Sequence, residues 1–195
     1  KMHAALAEKL GAARGVKGAM ARWAMGVARR WHERQLAAQA PGVLLDAHMA
    51  RARRLVLRKV HAALGLDAAT LLLSSAAPIS PEVLKFFFSL DLPVRELYGQ
   101  SEVCGPTTLN LSGATRVGSV GRPIEGLTLR IADDGEVLVR SPGVFQGYAG
   151  DAAASAEALQ DGWLHSGDLG RLDADGYLFI TGRKKDLIIT SGGKN

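Results

Sequence analysis

The sequence predicts an α/β protein, and three observations lead to that class. The first 64 residues are rich in strong helix formers, residues 70–98 have the pattern strand, helix, strand, and short alternating runs separated by turn signals follow Gly118. A strand–helix–strand order implies a parallel βαβ unit. We therefore expect part of a doubly wound parallel sheet, followed by a smaller region of β-structure.

Length and composition place the chain among ordinary globular proteins. Its 195 residues are 47% hydrophobic, which is enough for one full core or for parts of two. Cys104 is the only cysteine, so an internal disulfide is excluded and a reducing compartment is favoured. No apolar run approaches the roughly 18 residues that a transmembrane helix requires.

The net charge of +5 is unevenly distributed. Residues 1–60 contain 13 Lys and Arg against 3 Asp and Glu, a balance of +10, whereas residues 61–195 contain 11 against 16, a balance of −5. Such a basic segment could face a membrane surface or a nucleic acid, although a solvated helix face is the more common explanation. Few aromatic residues lie among the cations, which argues against nucleic acid.

The N-terminal segment predicts two helical regions. Residues 1–38 have a helical composition that Gly11, Gly15 and Gly18 weaken, so we expect a break there. Trp23, Val27 and Trp31 are spaced by four and form one stripe for core packing. A second helix is expected over residues 46–64, before Gly65.

The βαβ pattern comes next. Residues 70–74 form a continuously apolar run, as in a strand buried on both faces. Ser80 and Pro81 are suited to the N-cap and first turn of a helix that runs to about Leu90, and residues 94–98 form a second strand. Since ligands bind at the carboxyl ends of strands in such sheets, residues 74–78 and 98–102 are candidate site segments.

Hairpins dominate the rest of the chain. Residues 127–131 and 136–140 flank the turn 133–135, and Asp151 is the expected N-cap of a helix over residues 151–159. Residues 173–176 predict another turn, before a strand at 177–181 that stops at Gly182. Asp168 follows Gly167, and we expect a turn to present its carboxylate. The consecutive cations Arg183, Lys184 and Lys185 could meet a polyanion.

The segment Tyr98-Gly-Gln-Ser-Glu102 carries residue types suited to a nucleotide. The Tyr98 ring could stack on a purine, and Gly99 permits a close backbone approach. The Ser101 hydroxyl could contact a phosphate oxygen, and Glu102 offers a hard oxygen to Mg²⁺.

Several segments together resemble the AMP-forming acyl-CoA synthetases. Residues 98–102 are similar to the family's Tyr-Gly-x-Thr-Glu motif, and Ser74-Ser-Ala-Ala-Pro78 is similar to Ser-Gly-Ala-Ala-Pro, with Ser75 in place of a common glycine. Residues 118–123 resemble Gly-x-x-Gly-x-Pro, and residues 162–195 resemble the family's signature. The chain is most similar to the long-chain fatty acid–CoA ligases, including the bubblegum type.

The resemblance implies a reaction and a set of ligands. A fatty acid carboxylate attacks the α-phosphate of ATP with Mg²⁺ present, and coenzyme A then displaces AMP from the acyl-adenylate. It implies three catalytic residues, Ser101, Glu102 and Lys185, with Glu102 on the metal and Lys185 at a hinge. The nucleotide-binding residues that it implies are Ser75, Ala76, Ala77, Pro78, Tyr98, Gly99, Gln100, Ser101, Asp168 and Arg183.

Two of those residues have more specific roles by resemblance. Asp168 would accept hydrogen bonds from both ribose hydroxyls, and Arg183 would contact the ribose or a phosphate. Gly192 and Gly193 would line the coenzyme A tunnel.

The resemblance also implies a division of the chain. Residues 1–110 would belong to the large N-terminal α/β domain, residues 111–181 to a small distorted β-barrel, and residues 182–195 to the hinge of a missing C-terminal domain. The family's phosphate loop would precede Lys1 and its adenylation lysine would follow Asn195. We therefore expect an internal fragment with negligible ligase activity of its own.

Alternatives stay open at this point. Within the superfamily they are a medium-chain or aryl-acid ligase and an adenylation domain. From another class, a non-catalytic membrane- or fatty-acid-binding module could use the basic helices. We expect a cytoplasmic protein or one held peripherally on the cytoplasmic face of a membrane, with no nucleic acid partner.

Overall fold

The computed structural model describes residues 2–186, which divide into two compact units. The first unit contains residues 2–74, 79–95 and 112–117, and the second contains residues 75–78, 96–111 and 118–186. The three-part division at residues 110 and 181 stays a prediction.

The first unit is mainly helical. Its elements are α1 (Met2–Ala12), α2 (Gly15–Leu36), α3 (Val43–Ala52), a π-helical turn (Arg53–Leu57), α4 (Arg58–Ala63), strand β1 (Leu72–Ser74) and α5 (Pro81–Ser89). The break predicted in the first helical region is confirmed, because α1 and α2 are separate and Gly15 adopts a φ of +64° that glycine tolerates best. A Cβ at Gly18 would lie 2.1 Å from the Ala13 carbonyl oxygen, so the chain also needs a glycine there.

The core of the first unit lies between α2 and α3. Val27 is fully buried with Ala24, Ala28, Met49, Ala52 and Leu57, and Trp31 packs against this cluster. Trp23 is 37% exposed, so only part of the predicted stripe reaches the core. Small residues on α2 let the helices approach closely, which suits its alanine-rich composition.

Local signals account for α5 and for the strand that follows it. The Ser80 hydroxyl accepts a hydrogen bond from the Val83 N–H at 3.4 Å, and Pro81 is the first helical residue. Strand β2 (Val94–Gln100) begins in the first unit and is the neighbour of β1 in the sheet order. The α/β class is confirmed.

The second unit is built from two runs of strands. Its elements are β2, a 3₁₀ turn (Ser101–Val103), β3 (Gly105–Leu109), β4 (Arg122–Pro123), β5 (Thr128–Ile131), β6 (Glu136–Arg140), α6 (Ala152–Ala158), β7 (Leu159–Gln160), β8 (Trp163–Leu172), β9 (Leu178–Arg183) and a second 3₁₀ turn (Lys184–Asp186). The order β5-β6-β8-β7, with β9 also paired to β8, gives a five-stranded sheet.

That sheet confirms the predicted hairpins. β5 and β6 are antiparallel with Ile131 opposite Val137, and β8 and β9 are antiparallel around the turn at Asp173. The Asp173 carboxylate closes this turn by accepting the Asp175 and Tyr177 N–H groups. The cluster beneath the sheet contains Val103, Val137, Val139, Leu164 and Leu178.

The structure corrects three local expectations. Asp168 lies within strand β8 rather than in a turn, because alternate residues of β8 point inwards and Asp168 has the inward phase. The strand expected to stop at Gly182 continues through Arg183, since Arg183 pairs with Asp168 across the ladder. The strand expected over residues 70–74 covers only Leu72–Ser74, and it is not buried on both faces, because Leu73 is 45% exposed.

Over residues 2–186, none of the helices has both the length and the hydropathy that crossing a membrane demands.

Candidate functional site

The two predicted anchors, Tyr98 and Asp168, meet directly in the second unit. The Tyr98 hydroxyl donates a hydrogen bond of 2.7 Å to one carboxylate oxygen of Asp168. The other oxygen accepts the Arg183 Nε at 2.7 Å. Three of the predicted nucleotide-binding residues, from β2, β8 and β9, therefore form one cluster.

Burial and charge make this cluster asymmetric. Asp168 is 6% exposed, whereas the Arg183 side chain is 62% exposed. Burial, and then the hydrogen bond to Asp168, raise the pKa of the Tyr98 phenol, so it remains a donor at neutral pH. The same carboxylate raises the pKa of Arg183. Because its side chain is mostly exposed, Arg183 is the partner of Asp168 that has room to move.

Gln100 and Gly99 extend the cluster along β2. The Gln100 amide donates to the Tyr98 hydroxyl at 3.4 Å. A Cβ at Gly99 would lie 2.1 Å from the Gly105 carbonyl oxygen, so this glycine is needed for the approach of the chain's own backbone at the β2–β3 turn. Contact of Gly99 with a nucleotide stays a prediction.

Glu102 has a partner that sequence reasoning missed. Its carboxylate accepts a hydrogen bond of 2.9 Å from the Tyr148 hydroxyl, which raises the pKa of that phenol. Tyr148 is held by a T-shaped contact with Phe145, whose N–H donates to the Glu102 carbonyl. The available signal was the segment 142–148, which carries both aromatic residues but does not show where they point. Ser101 is exposed beside Glu102.

A cavity of about 690 Å³ adjoins the cluster and is lined by some of these residues, but not by Tyr98 or Asp168. Gln100, Glu102, Tyr148, Arg183 and Lys185 all line it. This volume falls in the range of small-molecule sites, which is roughly 300–1,000 Å³. Arg183, Lys184 and Lys185 supply the positive charge that a polyanionic ligand requires, and the same cavity is also lined by Glu102, Glu136, Glu157 and Asp186.

The arrangement fits a magnesium ion only in company with a ligand. Among the described residues, no group of three or more His, Cys, Asp and Glu side chains could hold a metal. Glu102 offers one carboxylate towards the cavity. Since Mg²⁺ is often held by one or two carboxylates and the phosphates of a substrate, this donor set fits that mode of binding.

The four residues Ser75 to Pro78 belong to the second unit, as Tyr98 and Asp168 do, and all four are exposed. Ala76 adopts a φ of +73°, a left-handed conformation that L-residues seldom occupy, whereas Ser75 does not. The replacement of the family's usual glycine by Ser75 therefore does not strain the loop at that position.

We expect Ala76→Gly to stabilise the protein by about 0.5–1 kcal/mol, because glycine removes the left-handed penalty. Ala77→Gly is the matched control, since Ala77 has no positive φ and should lose about 0.5–1 kcal/mol of stability through unfolded-state entropy. Urea denaturation of both variants measures the difference. Equal destabilisation by the two substitutions would contradict the strain at Ala76.

Two of the three consecutive cations are already paired. Arg183 contacts Asp168, and Lys184 contacts Asp134 at 2.7 Å and Glu136 at 2.9 Å. Lys185 is exposed at the cavity. Its hinge role stays a prediction, and Gly192 and Gly193 lie outside the described residues.

Comparison with known proteins gives the chain a family. A model of the family described as AMP-binding enzyme matches residues 19–149. The chain is 43% identical over 186 residues to the long-chain-fatty-acid–CoA ligase ACSBG2 of Xenopus laevis, covering 92% of this chain and 25% of that protein. It is 46% identical over 155 residues to the long-chain-fatty-acid–CoA ligase FadD15 of Mycobacterium bovis, covering 80% and 26%.

Solved structures agree with these relatives. The O-succinylbenzoate coenzyme A synthetase of Bacillus subtilis, in complex with ATP and magnesium ion, superposes with a TM-score of 0.56 at 32% identity, covering 62% of this chain and 28% of that chain. The anthranilate CoA ligase AuaEII, in complex with anthranoyl-AMP, gives 0.58 at 28% identity, covering 63% and 26%.

The chain spans about a quarter of the length of the curated relatives that it matches. The family match covers more than half of the chain, and it includes Tyr98 in β2 and Glu102 in the turn that follows. By this match and by its relatives, the chain belongs to the family of AMP-binding enzymes.

Proposed function

We propose that the chain is part of a long-chain fatty acid–CoA ligase and contributes its nucleotide cleft. The observation that carries the proposal is the 2.7 Å contact between Tyr98 and Asp168, which joins the two predicted nucleotide motifs in one cluster. Relatives at 43–46% identity are named long-chain-fatty-acid–CoA ligases, which supports the substrate class.

The proposed reaction has two steps. A fatty acid carboxylate oxygen attacks the α-phosphorus of ATP, which forms an acyl-adenylate and releases pyrophosphate. The thiol of coenzyme A, losing its proton, then attacks the acyl carbon, and AMP leaves with the electron pair of the broken carbon–oxygen bond. No described side chain needs to form a covalent bond, so the residues contribute by positioning and charge.

Asp168 is proposed to bind the ribose. A carboxylate has about four acceptor sites, and the contacts with Tyr98 and Arg183 use one site on each oxygen. Movement of the exposed Arg183 side chain would open the second oxygen, and its guanidinium could then contact the ribose or a phosphate. Tyr98 would remain in place, because its partly buried ring packs against the core beneath the sheet.

The other roles follow the resemblance. Ser101 would contact the α-phosphate, residues 75–78 would lie along the adenine, and Glu102 would hold Mg²⁺, which supplies charge neutralisation on the phosphates. Lys185 would serve as the hinge residue, and Gly192 and Gly193 would line the path of coenzyme A.

The test is a full-length protein containing this chain, assayed with ATP, coenzyme A and a panel of octanoate, palmitate, oleate, benzoate and anthranilate. We expect AMP release that depends on coenzyme A and is fastest with the long-chain acids. Preference for benzoate or anthranilate would favour the aryl-acid alternative, and preference for octanoate the medium-chain one. No carboxylate-dependent AMP release would refute the ligase.

We also propose a peripheral contact with an anionic membrane surface, and with it a cytoplasmic or peripheral location. Val43 and Leu44, at the start of α3, are 85% and 81% exposed. They line a groove together with Arg30 and Arg34. In a flotation assay with anionic vesicles, the protein should rise with the vesicles at low salt and stay behind at high salt. No flotation at either salt concentration would contradict the contact.

A further inference from the structure

Glu136 is a buried carboxylate that none of the recognised motifs includes. It lies at the start of β6, is 3% exposed, and has three partners. One oxygen accepts the Gly167 backbone N–H at 2.9 Å. The other contacts His165 Nδ1 and Lys184 Nζ, each at 2.9 Å. One side chain therefore connects β6, β8 and the turn after β9.

These partners adjoin the proposed ribose-binding pair. Gly167 immediately precedes Asp168, and Lys184 immediately follows Arg183. Asp168 and Arg183 are themselves joined at 2.7 Å. Glu136 thus contacts the chain neighbour of each member of the pair. It accepts the backbone N–H of Gly167, next to Asp168, and the ammonium group of Lys184, next to Arg183.

The backbone conformation at Gly167 explains how the contact with Glu136 can influence Asp168. Gly167 has a φ of +72° within a strand, and the next peptide N–H, that of Asp168, donates to the Ser166 hydroxyl at 3.1 Å. Two successive N–H groups are therefore fixed by side chains in addition to the ladder. The direction of the Asp168 side chain depends on this local conformation, because a rotation at Gly167 turns every atom that follows.

The charge state of Glu136 is set by its partners. Burial raises the pKa of its carboxyl, but the hydrogen bonds from Lys184, His165 and Gly167 outweigh burial and lower it. The group is therefore ionised at neutral pH. A buried carboxylate is unfavourable unless it is paired, so this arrangement depends on Lys184 staying in place.

We propose that Glu136 is a positioning residue, which orients Asp168 through Gly167 and Arg183 through Lys184 so that the cleft accepts the ribose of a nucleotide. This inference rests on the proposed function, because it requires Asp168 to bind the ribose. It adds a residue outside the nucleotide motifs to the machinery of the site.

The chain supplies a matched control. Asp134 also contacts Lys184, at 2.7 Å, but its side chain is 53% exposed. It accepts the Glu136 N–H through an oxygen that asparagine would keep. Asp134→Asn and Glu136→Gln therefore each remove one negative charge next to Lys184. Only Glu136→Gln alters a carboxylate that contacts β8, the strand that carries Asp168.

The experiment measures AMP affinity by calorimetry and steady-state kinetics on the full-length protein. For Glu136→Gln we expect the Kd for AMP and the KM for ATP to rise by about tenfold to a hundredfold, because charged buried hydrogen bonds are lost. The KM for the fatty acid should stay within about twofold, and Asp134→Asn should stay within about twofold in every constant.

A second variant tests the same contact with less risk of a folding defect than Glu136→Gln. Lys184→Met removes the ammonium contacts with Glu136 and Asp134. It leaves the Glu136 carboxylate bonded to His165 and Gly167, so the protein should fold and AMP binding should weaken severalfold. A role confined to stability would lower the Tm and leave the AMP Kd and the ATP KM at wild-type values. That pattern in both variants would overturn the inference, while a wild-type protein without ligase activity and without AMP binding would overturn the proposed function itself.

Discussion

Asp168→Ala should lower kcat/KM for ATP by about a hundredfold to a thousandfold. The substitution would remove the proposed acceptor for two ribose hydroxyls, and at about 1.5–2 kcal/mol for each hydrogen bond to a charged group the loss is about 3–4 kcal/mol. It also leaves the buried Tyr98 hydroxyl without its acceptor and frees Arg183. Steady-state kinetics of the full-length protein with varied ATP give the measurement.

Two further variants separate charge from the aromatic ring. Asp168→Asn keeps one carbonyl acceptor, so an intermediate loss is expected. Tyr98→Phe removes the hydroxyl that contacts Asp168 but keeps a ring able to stack on a base, so only a severalfold loss is expected. Asp133→Asn, in the exposed turn between β5 and β6, is the control and should match the wild type. Unchanged ATP kinetics in folded Asp168→Ala would remove its ribose role.

Asp91→Ala should destabilise the first unit by about 3 kcal/mol, since removal of one partner from a mostly buried ionic cluster leaves the others uncompensated. Asp91 contacts His32 at 2.9 Å and Arg53 at 2.6 and 3.0 Å, and Arg53 begins the π-helical turn. The Arg53 side chain is 38% exposed, which keeps the expected loss at the lower end for a buried pair. Asp91 also has a φ of +57°, which alanine tolerates less well.

The same cluster predicts a dependence on pH. Burial raises the pKa of the Asp91 carboxyl, but its hydrogen bonds with His32 and Arg53 outweigh burial and lower it below the ordinary value of 3.8. A lowered folded-state pKa contributes stability above pH 3.8, and that contribution is lost as the pH falls through the folded value. The stability difference between wild type and Asp91→Asn should therefore be full at neutral pH and shrink below pH 3.8.

Urea denaturation across that pH range measures the effect. Asparagine tolerates the left-handed backbone of residue 91 and keeps one acceptor, so Asp91→Asn isolates the charge. Asp67→Asn is the matched control, because Asp67 is exposed, and it should change stability by under about 0.5 kcal/mol. A pH-independent difference for Asp91→Asn would show that the carboxylate charge does not stabilise the unit.

The sequence alone determined those features that neighbouring residues encode. Ser80 and Asp151 cap their helices as expected, with the Asp151 carboxylate accepting the Ala154 N–H at 2.9 Å. The turns at residues 133–135 and 173–176 join antiparallel strands. The motif at residues 98–102 and the acid at residue 168 also identified the family, because a motif is a local pattern that needs no knowledge of the fold.

The tertiary structure decided which of those residues meet. The contacts of Tyr98 with Asp168 and of Glu136 with Lys184 join residues 70 and 48 positions apart. The Glu136 contact follows from the register of β6, β8 and β9, because a one-residue slip would turn every side chain of the slipped strand to the other face. Tyr98 reaches Asp168 from β2, which belongs to the other sheet. The sequence therefore identifies the residues of the site. The fold places Asp168 within strand β8, where Tyr98 and Arg183 contact its carboxylate.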